Sequence, residues 1–135
     1  MPGDFFDTNV LVYLVSNDAR KADRAESVLA AGGAISVQVL NELANVARRK
    51  MQMSWVETHA FLDTLRALLT VHPLTVETHD AGLRLAERYN FSTYDAMIAA
   101  AALQAGCDRL WSEDMQDGMA LEGGLRIVNP FRERK

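Results

Sequence analysis

Cysteine is almost absent from this sequence, with Cys107 the only one among 135 residues. A single thiol excludes an internal disulfide, and no Cys or His neighbour stands at the spacing of a zinc site. We therefore expect Cys107 to be a small buried hydrophobic residue. The sequence also lacks a glycine-rich phosphate loop. Its histidines, His59, His72 and His79, have no strand-end Ser or Cys beside them that would suggest a nucleophilic triad.

Long apolar runs are missing as well. No segment approaches the roughly 20 apolar residues that cross a membrane, and the first residues lack the basic and apolar regions of a secretory signal. These absences predict a soluble, cytoplasmic protein that has no membrane partner.

An excess of basic residues is the third thing the chain lacks. It has 14 Lys and Arg against 18 Asp and Glu, which gives a formal net charge of −4. Such a balance argues against holding nucleic acid by bulk electrostatics. It does not exclude a nuclease, because clustered carboxylates can account for the acidity and a bound metal reverses the local sign.

What is present is a regular alternation of short apolar strands and helices in a chain that is 49% hydrophobic. Strands are predicted at 4–7, 34–36, 71–75, 109–112 and 125–128, and helices at 10–15, 19–31, 37–50, 55–69, 76–89 and 93–105. Pro73 interrupts the third strand, which indicates an edge position. The alternation predicts a single-domain α/β sandwich with a mainly parallel sheet over residues 1–131, followed by a mobile basic tail at 132–135.

The helix predicted at 93–105 is apolar on all sides, which is typical of a helix buried at the centre of a domain. Asp95 opens it and is its one ionisable residue. Ser92 stands three residues earlier, so the pair has the pattern of a capping box. The alternative interpretation is that Asp95 shares a divalent cation with other carboxylates.

Four acids are predicted to reach one edge of the sheet, where ligands bind in such folds. Asp7 follows the first strand, Glu42 lies early in the helix after the second, Asp95 opens the buried helix and Asp114 follows a later strand. Taken singly, each has a plainer explanation as a helix cap, a surface residue or a turn residue. Taken together, oxygen ligands without His or Cys favour Mg²⁺ or Mn²⁺.

Four sequence blocks together resemble the PIN-domain ribonucleases of the VapC toxin type. The blocks are Asp7-Thr8-Asn9-Val10, Asn41-Glu42-Leu43, residues 94–101 and residues 110–115. The resemblance implies that Asp7, Glu42, Asp95 and Asp114 are the catalytic acids, with Asp7, Asp95 and Asp114 as metal ligands. It implies polar support from Thr8, Asn9 and Ser112. Glu113 and Asp117 compete with Asp114 for the fourth position; we favour Asp114, with Asp117 as a second ligand or water holder.

The same resemblance implies an endoribonuclease that uses Mg²⁺ or Mn²⁺ to hydrolyse RNA phosphodiesters and leaves a 5′-phosphate and a 3′-hydroxyl. It further implies a cognate antitoxin protein and a homodimer. The RNA would be bound by local basic patches such as residues 48–50 or residues 20, 21 and 24. A solvent-exposed helix face explains these basic residues as well.

Two other classes of function stay open at this stage. A Mg²⁺-dependent phosphatase would place a second Asp where Asn9 stands, and a phospho-acceptor domain would have a Lys after a late strand, yet no Lys lies between Lys50 and Lys135. A non-catalytic PIN-like interaction module would have lost members of the acidic quartet. All four are present here.

Overall fold

The computed structural model describes residues 3–132, which form a five-stranded sheet between layers of helices. The strands are β1 (Asp4–Phe6), β2 (Ala34–Ser36), β3 (Thr70–His72), β4 (Arg109–Trp111) and β5 (Arg126–Val128). The helices are α1 (Thr8–Val12), α2 (Ala19–Leu29), α3 (Val37–Arg49), α4 (Trp55–Leu68), α5 (Val76–Tyr89) and α6 (Thr93–Gln104). Short 3₁₀ turns cover Tyr13–Val15 and Glu122–Gly124. The predicted α/β sandwich is confirmed.

The sheet is parallel throughout its named strands and has the order β3-β2-β1-β4-β5. The chain moves outward from β1 to β3 on one side and then crosses to β4 on the other. The strand order therefore reverses between β1 and β4, which is where α/β sheets bind ligands. Phe6 pairs with Trp111 there, and Asp7 N–H donates to the Trp111 carbonyl at 2.9 Å. Residues just beyond both strands consequently share one crevice.

Helix α6 is buried as the sequence predicts. Residues 96–102 are at most 5% exposed, since the helix offers no polar face to water. Helix α5 packs directly on it through Gly82, where an added Cβ would stand 2.6 Å from the Met97 sulfur. The absence of a side chain at Gly82 thus allows a close helix contact, which holds α6 and the Asp95 at its start in place.

Most boundaries lie near their predicted positions, with two informative differences. Helix α1 begins at Thr8 rather than at residue 10, because Asp7 is its N-cap, and its last predicted turn is 3₁₀ at Tyr13–Val15. Strand β3 ends at His72, before Pro73, and lies at the sheet edge as predicted. Cys107 is 7% exposed, in agreement with its predicted burial.

No helix in residues 3–132 is long and apolar enough to cross a membrane. The tail that the sequence predicts at 132–135 lies outside the described residues except for Arg132. Arg132 Nη1 lies 3.4 Å from Asp117 Oδ2.

Candidate active site

Asp7 lies at the carboxyl end of β1 and is 2% exposed. Its Oδ1 accepts the N–H of Thr8 at 2.7 Å, which makes it the N-cap of α1. Its Oδ2 accepts from the Ser112 hydroxyl at 2.7 Å and from Asn9 Nδ2 at 3.1 Å. A short side chain with these contacts has one orientation available, so capping α1 and facing the crevice are compatible roles for Asp7.

Glu42 comes to the same place from α3. Its Oε1 accepts from the Thr8 hydroxyl at 3.0 Å, and its Oε2 accepts from Gln38 Nε2 at 2.8 Å. Gln38 stands one helical turn earlier on the same face, as the i, i+4 spacing requires. Thr8 therefore contacts two acids at once, Asp7 through its backbone and Glu42 through its side chain.

Asp95 is half-buried at the start of α6. Ser92 is the N-cap, and its Oγ accepts the N–H of Asp95 at 3.2 Å. The serine half of the predicted capping interaction is therefore present. The Asp95 side chain also lines a cleft together with Asp7, Glu42 and Asp114. Capping of the helix and participation in an acidic site thus coexist at this position.

Asp114 lies on a loop that is held from two sides. Ser112 Oγ accepts the N–H of Met115 at 3.2 Å while its hydroxyl donates to Asp7. Asn9 Oδ1 accepts the N–H of Glu113 at 3.0 Å. Asn9 and Ser112 thereby connect the Asp114 loop to Asp7.

The two competing acids have other partners. The Glu113 carboxylate accepts from the Tyr13 hydroxyl at 2.7 Å and pairs with Lys21 Nζ. Asp117 is not among the residues that line the cleft; its Oδ1 accepts the N–H of Asn129 at 2.7 Å. The structure therefore brings Asp7, Glu42, Asp95 and Asp114 together, places Glu113 beside them and leaves Asp117 outside.

We call the space between these residues the acidic cleft, an open cavity of about 380 Å³. Its lining consists of Asp7, Thr8, Asn9, Val12, Tyr13, Glu42, Val46, Lys50, Asp95, Glu113 and Asp114. Tyr13 was missed from the sequence, although it follows Asn9 by four residues. Lys50 was considered only as part of a surface patch, although Glu42, Val46 and Lys50 recur every four residues along one face of α3.

Electrostatic repulsion couples all four acids. Burial is the main cause that raises the pKa of Asp7 to about 7, against the hydrogen bond from Ser112 that lowers it, and the Asp95 and Glu42 carboxylates raise it further. The pKa of Asp95 is also raised, first by burial and then by Glu42 and Asp114, against a lowering hydrogen bond with Ser92. Like charges this close favour a bound proton or cation.

The donor set fits a divalent metal ion of the hard, oxygen-binding kind. Across the described range, 3–132, no three His, Cys, Asp or Glu side chains stand close enough to enclose an ion by themselves. Mg²⁺ usually needs no such enclosure, because it keeps several waters and is held by one or two carboxylates. The mutual repulsion at Asp7 and Asp95 would be relieved by a cation between them.

Comparisons with known proteins point to one family. A sequence model of the PIN domain matches residues 5–117. A toxin–antitoxin complex from Klebsiella pneumoniae superposes with a TM-score of 0.74 at 22% identity, over 96% of this chain and 99% of the other.

Two further solved structures share the fold. VapC20 of Mycobacterium tuberculosis, a sarcin–ricin loop cleaving toxin, gives a TM-score of 0.68 at 21% identity over 82% of this chain and 89% of its own. DNA-bound VapBC from Salmonella typhimurium gives a TM-score of 0.66 at 20% identity, over 96% of this chain and 99% of its own. No curated protein matches the chain.

Proposed function

Because this chain belongs to the PIN domain family, we propose that it is a divalent-metal-dependent endoribonuclease, the toxin of a toxin–antitoxin pair. One observation carries the proposal: five carboxylates from four separate segments line one cleft, and four of them are coupled through their charges, namely Asp7, Glu42, Asp95 and Asp114. A single carboxylate at a strand end has many structural uses, whereas four that repel one another are costly unless a cation joins them.

We assign the metal to Asp7, Asp95 and Asp114, of which one or two would hold the ion directly and the rest would act through its bound waters. Glu42 completes the acidic set, and we expect Mg²⁺ or Mn²⁺. A divalent ion bound there would lower the pKa of a water and stabilise charge on the leaving oxygen of the phosphodiester. The expected products are a 5′-phosphate and a 3′-hydroxyl.

Thr8, Asn9 and Ser112 are proposed to orient the acids rather than to react. Each contacts Asp7, and each also contacts a second part of the site: Thr8 contacts Glu42, Asn9 contacts the Glu113 N–H, and Ser112 contacts the Met115 N–H. Such cross-links keep donor oxygens fixed as an ion arrives, which lowers the cost of assembling the site.

The test compares the parent protein with Asp95→Asn and with Asp63→Asn, an exposed acid on α4 that serves as the matched control. Purified proteins are incubated with cellular RNA and Mg²⁺ or Mn²⁺, and new 5′-phosphate ends are mapped. We expect the parent and Asp63→Asn to cut at the same sites and Asp95→Asn to fall below about one hundredth of the parent rate. A folded Asp95→Asn protein that cuts as fast as the parent would overturn the proposal.

We further propose a cytoplasmic protein that binds a cognate antitoxin and forms a homodimer. Support comes from the toxin–antitoxin complexes among the structural neighbours and from large apolar side chains left on the surface of α4, with Trp55 61% and Val56 79% exposed. Co-expression with the protein encoded next to this one should suppress the RNA cleavage. Light scattering that gives a monomer at micromolar concentration would contradict the dimer.

A further inference from the structure

A second cavity, of about 500 Å³, lies between α2 and the end of the described chain. We call it the basic groove; it is lined by Arg20, Lys21, Asp23, Arg24, Pro130, Phe131 and Arg132. Four of these side chains are cationic and only one is acidic. Lys21 pairs with Glu113 and Arg132 with Asp117, so the four cations of the groove exceed the carboxylates beside them by one, in a protein whose formal net charge is −4.

The groove is built by specific contacts between two distant parts of the chain. Arg24 Nε donates to the Pro130 carbonyl at 2.7 Å, which fixes the far segment against α2. The Phe131 ring meets the Tyr13 ring edge-on, with 4.7 Å between centroids. Lys21 Nζ stands 5.2 Å from the centroid of the Phe131 ring. These contacts fix the Phe131 ring and the cations of the groove relative to one another.

The basic groove adjoins the acidic cleft. Tyr13 lines the cleft, and its ring packs against Phe131, which lines the groove. Lys21 lines the groove, donates to the Tyr13 hydroxyl at 3.1 Å and pairs with Glu113 of the cleft. A polymer that lies in the groove therefore has the cleft directly on the other side of Tyr13.

We propose that the basic groove binds the backbone phosphates of the RNA strand that flanks the cleaved bond, with Phe131 as a stacking surface for a base. The proposal rests on the proposed function and adds the path of the substrate. An acidic cleft repels RNA, so the strand needs positive charge close by to reach it. Arginine side chains beside an aromatic ring are the usual components of single-strand binding sites.

Binding is tested separately from cleavage, in an Asp95→Asn background with Mg²⁺ present. The probe is a fluorescent single-stranded RNA of about 12 nucleotides, titrated at several salt concentrations. Arg20→Gln combined with Arg132→Gln removes two groove cations and keeps the Arg24 contact that supports the fold. The matched control is Arg66→Gln combined with Arg84→Gln, which removes two exposed cations from α4 and α5.

We expect the groove variant to bind about tenfold more weakly and its salt dependence, log K against log salt concentration, to become shallower by about 0.7 for each lost phosphate contact. The control should bind like the background protein. Equal affinity and slope in the groove variant would overturn the proposal, as would an equal loss in the control. Competition by polyglutamate as effective as by RNA of the same charge would point to an acidic protein segment instead, and would also overturn it.

The same variants with Asp95 restored separate this inference from the function on which it rests. If the parent cuts RNA and the groove variant has the same kcat/KM as the parent, the proposal for the groove fails while the proposed function stands. If the groove variant loses RNA binding but the parent cuts no RNA under any metal, the function fails while the binding path stands.

Discussion

The acidic cleft and the basic groove lie on opposite sides of Tyr13 and use charge in opposite ways. In the cleft, Asp7 is buried and Asp95 half-buried, and their charges repel, so a bound proton or cation stabilises the site. In the groove, Arg20, Arg24 and Arg132 are exposed, so a large anion can approach their charges from solvent. The difference teaches that net charge is a poor guide to substrate class when opposite charges are segregated over a short distance.

The largest expected effect tests whether Asp114 or Asp117 is the fourth acid of the cleft. Asp114→Asn should lower kcat by at least about 1,000-fold, because it removes a proposed metal ligand. Asp117→Asn should keep most of the kcat and lower the melting temperature instead, because Asp117 accepts the N–H of Asn129. Steady-state kinetics and thermal melts on both variants check this. The reverse pattern would make Asp117 the fourth acid.

The next effect concerns pH in the absence of metal. Burial raises the pKa of Asp7 to about 7 in the folded protein, against 3.8 for an aspartate in the unfolded chain. The native state therefore holds its proton over a pH range in which the unfolded chain has lost it. The free energy of unfolding should therefore fall as pH rises from about 4 to 7, by a few kcal/mol, and stay low above that. Urea denaturation in chelator at pH 5 and pH 8 measures it.

In that experiment Asp7→Asn is the control. Its residue 7 cannot titrate, so its free energy of unfolding should depend less on pH. Addition of Mg²⁺ at pH 8 should restore stability to the parent protein more than to Asp7→Asn. A parent protein whose stability is unchanged or higher at pH 8 in chelator would contradict the coupling of the acids.

A smaller effect is expected for Asp95→Asn without metal. The substitution removes a repelling charge while Ser92 still caps α6 through the Asp95 backbone N–H. We expect the metal-free melting temperature to rise by a few degrees at pH 8, which corresponds to about 1 kcal/mol. A large loss of stability would show that the carboxylate serves α6 mainly as a cap.

The smallest effect falls on the boundary between the two regions. Tyr13→Phe keeps the ring against Phe131 and removes the hydroxyl that bonds to Glu113 and Lys21. We expect a loss of stability of about 1 kcal/mol and a raised KM with kcat nearly unchanged. Tyr13→Leu, which also loses the ring contact, should raise KM further. A fall in kcat with unchanged KM in Tyr13→Phe would show that Tyr13 takes part in the cleavage step rather than in binding the RNA strand between the groove and the cleft.

Local sequence signals located most elements and predicted that Asp7, Glu42, Asp95 and Asp114 lie at one edge of the sheet, where all four line the cleft. The apolar run after Asp95, for example, predicted the buried helix α6. The same signals offered a helix cap as one role of Asp7 but missed that it also accepts from Ser112, since the two residues are 105 positions apart. They also could not separate Asp114 from Asp117, because both lie in the same polar turn and only their partners differ.

What the sequence by itself determined is therefore the order of strands and helices and the points where acids follow strands, because these depend on hydrophobic period and on residues a few positions apart. The tertiary structure alone decided which residues share a surface. It set Phe131 on Tyr13 and Pro130 on Arg24, and thereby turned an ordinary basic helix face into a groove beside the acidic cleft. Such contacts join residues more than a hundred positions apart, where periodicity carries no information and packing alone selects the partner.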